Sequence, residues 1–199
     1  MGYHMTVEKK RNGYHHGDLR RDLLRVAREE ISRNGAQAVS LTSLARLAGV
    51  SQPAPYRHFA DREALLEGVA VEGFEDLVSA LNGALATCAP AERLRAISLA
   101  YVTYGEANTE IYRLMFASRL VPEAQPESAL SAAADNALGL LRHVLSSASL
   151  VETLGDDAYG VWARLHGLVM LKADGFIKRP LSELVEMSDS IKPKRRRRT

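Results

Sequence analysis

The chain has 199 residues, 46% of them hydrophobic and 25% charged, with a formal net charge of +2. This composition suits a globular chain of one or two domains with ample material for a core. A single cysteine, Cys88, excludes an internal disulfide framework; no run approaches the roughly 18 apolar residues of a membrane span, and the N-terminus lacks the apolar core of a secretory signal, so the expected place is the cytoplasm.

The charge is divided unevenly. Residues 1–62 carry 11 Lys/Arg against 6 Asp/Glu, residues 63–191 carry 9 against 18, and Lys192–Arg198 adds 6 positives. A basic end on an acidic body points to a polyanion partner. Residues 1–14 read as a basic flexible arm, with Lys9, Lys10 and Arg11 placed to lie along phosphates. His15 and His16 make no metal site, because neighbours point apart on a helix and no cysteine or carboxylate cluster completes one.

Strand signals are nearly absent and helical periodicity runs throughout, which predicts an all-α chain. The first helix spans about Asp18–Asn34, with Leu19, Leu23, Val26, Ala27 and Ile31 on one face and Gly35 as its stop. A short second helix, about Leu41–Ala48, is capped by Ser40. Ser51 is placed to cap a third that ends near Phe59, and Asp61 to cap a long fourth that reaches about Ala86. Helices follow over Pro90–Asn108, Glu110–Ala117, Ser128–Leu150, Asp156–Phe176 and Leu181–Ile191, with Ser118–Glu127 as a proline-bearing loop. The basic tail, residues 192–199, cannot be buried and is expected to be disordered.

The first three helices form a helix-turn-helix pattern over residues 15–62. If Ser51 is the N-cap, Pro53 loses no intrahelical bond and Pro55 forfeits only the first one. Both rings then stiffen the start of a recognition helix, the part that reaches base edges in a major groove.

The stretch Leu41–Leu66, with its Ala-Gly-Val-Ser turn and its Tyr-x-His-Phe ending, resembles the DNA-binding signature of the tetracycline-repressor (TetR) family. Trp162, His166 and Gly167 resemble the C-terminal domain of a subgroup marked by a Trp…His-Gly motif. The resemblance implies a double-stranded DNA operator as partner. Gln52 would pair with a base edge, and Pro53 and Ala54 would offer apolar surface to a thymine methyl. Tyr56, His58 and Arg62 would contact phosphates, and Thr42 and Ser43 would reach phosphates or a nearby base. Pro55 departs from the family pattern, in which leucine or another non-proline residue is common.

Residues 63–191 read as a helical effector-binding and dimerisation domain. The helices Ser128–Leu150 and Asp156–Phe176 are apolar on two faces, which calls for two partners: the core and a second subunit. The resemblance implies the same homodimer. Tyr101, Tyr104, Tyr112, Met115, Phe116, Trp162, His166 and Met170 form a candidate pocket wall, apolar with polar tips, for a small apolar effector. The expected function is a homodimeric transcriptional regulator, most often a repressor in this family, with no cofactor. The alternative is an architectural DNA-binding protein without an effector, which a closed C-terminal core would favour. An enzyme is poorly supported, since no nucleophile–base pair or phosphate-cradling loop stands at an informative spacing.

Overall fold

The computed structural model describes residues 19–147 and 158–190, and every regular element among them is helical. The basic arm, the His15/His16 pair and the basic tail lie outside the described residues, as does 148–157 between two long helices.

Helix α1 (Leu19–Asn34) buries Leu23, Leu24, Ala27 and Ile31. Helix α2 (Leu41–Leu47) starts in a reciprocal cap: Ser43 N donates to Ser40 Oγ at 3.0 Å and Ser40 N to Ser43 Oγ at 3.0 Å. It ends in a Schellman motif, with Val50 N bonded to Ala45 O at 2.9 Å and Gly49 N to Arg46 O at 3.2 Å. That motif needs a left-handed residue after the helix, and Gly49 supplies it at φ 69°.

The predicted third helix over Ser51–Phe59 is not an α-helix. It is a turn followed by one 3-10 turn, Pro55–Arg57. Pro55 has no N–H to give the carbonyl of Ser51, so the first i→i−4 bond of a helix capped there is missing. Ala54 N closes on Ser51 O at 3.0 Å instead, and Pro55 O accepts both His58 N and Phe59 N at 3.0 Å.

Helix α3 (Arg62–Thr87) is capped by Asp61, whose Oδ1 accepts from Ala64 N at 2.8 Å. At 26 residues it is roughly 39 Å long. It packs on α1 near its start and on the C-terminal helices along the rest: α4 (Arg93–Ala107), α5 (Thr109–Phe116) and α7 (Ala129–Ser147). Pro90–Glu92 is a separate 3-10 turn ahead of α4. Within the predicted loop Ser118–Glu127 the chain makes one helical turn, α6 (Leu120–Glu123). Ser118 Oγ accepts from Leu120 N at its start, and Pro122 is tolerated because first-turn donors have no intrahelical partner.

Helix α8 (Ala158–Ala173) stops short of the predicted Phe176. Gly175 at φ 81° makes a second Schellman ending, with Phe176 N on Leu171 O at 2.9 Å. Helix α9 (Leu181–Ser190) closes over α4 and α8. Helices α4 and α8 touch at Gly105, where an added Cβ would come within 2.5 Å of Val169 Cγ1.

Candidate nucleic-acid interface and ligand cavity

The turn after α2 sorts its residues into anchors and an outward face. Pro55 and Phe59 are buried, while Gln52, Pro53, Tyr56, Arg57 and His58 are exposed and Ala54 is half-buried. Arg20 of α1 lays its guanidinium 5.4 Å from the centroid of the Phe59 ring and holds that anchor from above. The outward set contains four of the eight residues expected to touch DNA, plus Arg57, a cation absent from the expected set though it sits between two of its members. Thr42 is exposed on α2, whereas the Ser43 hydroxyl is committed to capping that helix.

Arg62 is expected at a phosphate. Its guanidinium turns inward instead: Nε donates to Val39 O at 2.8 Å and Nη2 to Ala36 O at 2.7 Å. It ties the start of α3 to the connection between α1 and α2. Hydrogen bonds to a charged donor contribute about 1.5–3 kcal/mol each. Arg62→Met is therefore expected to lower unfolding stability by about 2–3 kcal/mol in urea titrations. A wild-type midpoint with weakened DNA binding would restore the purely phosphate-binding role.

The second candidate site is a cavity of about 290 Å³ inside the C-terminal helices. Ligand sites start at roughly 300 Å³. Phe74, Leu77 and Leu81 of α3 form one wall, with Ile97 and Tyr101 of α4 and Met115 and Phe116 of α5 beside them. Trp162 and Leu165 of α8 and Val121 and Pro122 of α6 add to it. The remaining wall is α7, through Ala134, Asp135, Ala137, Leu138 and Leu141.

Residues 23–69 match the model of bacterial regulatory proteins of the tetR family, and residues 94–188 match that of the tetracyclin repressor-like C-terminal domain. The chain is 30% identical over 159 residues to the HTH-type transcriptional activator FasR of Mycolicibacterium smegmatis, a match over 79% of this chain and 70% of that one. The chain belongs to the TetR family. It is thus a DNA-binding transcriptional regulator with a helix-turn-helix head. A solved protein of unknown function from Rhodococcus sp. RHA1 shares the fold at TM-score 0.77 and 33% identity, over 90% of this chain and 95% of that one. The TetR family transcriptional regulator PfmR from Thermus thermophilus follows at 0.62 and 25%, over 85% of this chain and 95% of that one.

In this TetR-family chain the expected pocket residues divide in two. Tyr101, Met115, Phe116 and Trp162 line the cavity; Tyr104, Tyr112, His166 and Met170 do not. Three of those four have their own roles or partners. Tyr104 donates its hydroxyl to Gly73 O in mid-α3 at 2.7 Å. Tyr112 and His166 continue a polar relay behind the wall: Trp162 Nε1 to Tyr101 Oη at 2.9 Å, Tyr101 Oη to Tyr112 Oη at 2.8 Å, and Tyr112 Oη to His166 Nδ1 at 2.8 Å. Met170 is half-buried against the core. Phe116 packs among Phe74, Tyr112, Trp162 and His166 with ring centroids 4.6–6.1 Å apart.

Burial pushes the Tyr101 and Tyr104 hydroxyls up to about 12, and raises Tyr112 in the same direction. Burial also lowers His166 below its ordinary 6.5, so the imidazole stays neutral where a free one would gain charge. The unfolded chain then binds the extra proton first as pH falls. This contribution to stability is complete above about 6.5 and is lost as pH drops through the folded value. Between pH 7.5 and 5, the wild-type thermal midpoint should fall more steeply than that of His166→Gln. Parallel curves would remove His166 from the acid response.

Proposed function

We propose that this chain is a homodimeric regulator whose two reading turns enter successive major grooves of an operator, and that a small molecule in the C-terminal cavity controls its release. The observation that carries the reading is α3. Its first residue, Arg62, holds the DNA-binding head together, and Phe74, Leu77 and Leu81 on the same helix form a cavity wall. A ligand pressing on that wall acts on a rigid rod that ends at the head. Tyr104 clamps the same stretch of α3 at Gly73, one residue before Phe74, which ties α4 to the movement. A coupling of about 1–3 kcal/mol is enough for a working switch.

The cavity counts against the architectural alternative, which calls for a closed core. The sign of control is a separate matter. The relative FasR is named an activator, and release of DNA raises or lowers transcription according to where the operator lies. Ligand-controlled release is compatible with the expected repressor and with an activator alike.

The test is fluorescence anisotropy with the full-length protein and genomic fragments. A salt-resistant preferred site and dimer stoichiometry are expected; uniform, salt-labile binding would overturn the reading. Tyr56→Ala should weaken all sequences alike. Gln52→Ala should relax preference at one base pair by about 1–3 kcal/mol. Equal losses on specific and random DNA for Gln52→Ala would remove it from base reading.

A further inference from the structure

We propose that the C-terminal cavity takes an apolar molecule whose polar end donates hydrogen bonds, an aliphatic amine or alcohol, and discriminates against the matching carboxylate. The inference rests on the effector reading and specifies the ligand's chemistry.

Its basis is an account of the hydrogens in the cavity wall. Tyr101 and Trp162 both line the cavity, so the bond between them lies in its wall. The Trp162 indole can only donate, which fixes the Tyr101 oxygen as its acceptor. The Tyr101 proton then goes to Tyr112 and the Tyr112 proton to His166 Nδ1, and every buried proton has a place. The reverse order would start from a proton on His166 Nδ1 and leave the proton of Tyr101, a residue only 5% exposed, with no acceptor. Burial also keeps His166 neutral, so no second ring proton drives that reversal. Tyr101 thus offers the cavity one unused lone pair.

The other polar handle is Asp135 on α7, the only charged side chain among the described residues that line the cavity. It is exposed, which places it at the mouth. An ionised carboxylate accepts and does not donate. Both handles are therefore acceptors, set in a wall that is otherwise apolar apart from the indole already in use. An ammonium head, with three donors, suits both; an alcohol, with a single O–H, suits the Tyr101 oxygen alone. A carboxylate end would face Asp135 as a like charge, and could gain a donor from Tyr101 only by reversing the relay as far as His166.

The experiment uses full-length protein with decylamine, decan-1-ol and sodium decanoate, each below its micelle concentration, in titration calorimetry and thermal shift at pH 7.5. Decylamine should bind about tenfold tighter than decanoate, as a near-surface charge acting in opposite senses on the two heads allows. Asp135→Asn, a change at an exposed helix position, should shrink that ratio to about twofold and leave decanol unchanged. Decanoate binding as tightly as decylamine, a ratio untouched by Asp135→Asn, or no binding by any of the three would each overturn the ligand class. Operator binding, measured alongside, separates this from the effector reading. Decanoate that binds best and releases DNA sinks the ligand class alone. Decylamine that binds best and leaves DNA affinity unchanged sinks the effector reading alone.

Discussion

Gly167→Arg and Leu171→Glu are expected to turn the proposed dimer into folded monomers and to weaken operator binding by at least about a hundredfold, since a charge buried without a partner costs about 3–5 kcal/mol. On α8, Tyr159, Ala163, Gly167 and Leu171 fall at intervals of four and form a ridge of the kind that packs on a neighbouring helix. Tyr159 is 50% exposed and Leu171 47%, and Phe176 beyond the helix is 78% exposed. A Cβ at Gly167, or at Gly139 on α7, would meet nothing within 4 Å, so the lone chain tolerates a larger residue at either place. Arg142 of α7 stacks 5.0 Å from the Tyr159 ring centroid and brings the two helices to one face. In a twofold interface each substitution enters twice. Sedimentation equilibrium at micromolar concentration checks the assembly, and circular dichroism checks the fold. A wild type that sediments as a monomer would end the dimer proposal.

The same helices show why the interface is only partly legible in the sequence. Periodicity reveals two apolar faces on α7 and α8, but not which face is which. Leu141 and Leu165 carry the strongest apolar signal of these helices, and each is 6% exposed and lines the cavity of its own chain. A charge at either would unfold the protein rather than divide it. The outward ridge is built in part from alanine and glycine, which carry almost no hydropathy signal. Ala134 and Ala137 hide the α7 wall of the cavity for the same reason.

The reading turn is legible in its residues and illegible in its shape. The motif marks Ser51–Phe59, and Pro53 and Pro55 stand out within it. Counted residue by residue, the two rings remove a single bond at a helix edge. With that first bond missing the ladder gives way to short turns, closed by the carbonyls of Ser51, Ala54 and Pro55. Arg62 is expected at a phosphate because a basic residue after a recognition segment suits one in any chain. Only the fold brings the carbonyls of Ala36 and Val39 to it. Among the tyrosines, a polar tip in an apolar face marks burial correctly but does not separate a cavity wall from a clamp. Tyr101 serves the first and Tyr104 the second.

Filling the cavity from α7 is expected to leave DNA binding intact and abolish the response to ligand. Ala137→Phe and Ala134→Phe direct a ring into a space of about 290 Å³ from a half-buried helix position. The ring gains apolar contacts where nothing is displaced, so stability should change by less than about 1.5 kcal/mol. A filler placed on α4, Gly105→Phe, acts elsewhere. Its Cβ alone would stand 2.5 Å from Val169 Cγ1, so it would drive α4 from α8. The head should not register the α7 substitutions, because α3 keeps its contacts with α1 and the latch at Arg62. Decan-1-ol, a neutral probe independent of the charge at Asp135, should raise the thermal midpoint of the wild type and lower its operator affinity. By linkage, the operator complex must bind the probe more weakly by the same factor. Both effects should vanish in a filled variant that binds the operator within about threefold of wild type, a difference under about 0.7 kcal/mol. A filled variant that still responds to decanol would place the ligand outside this cavity. A filled variant that loses operator binding without any probe would mean that occupancy of the space by itself moves α3 to its released position.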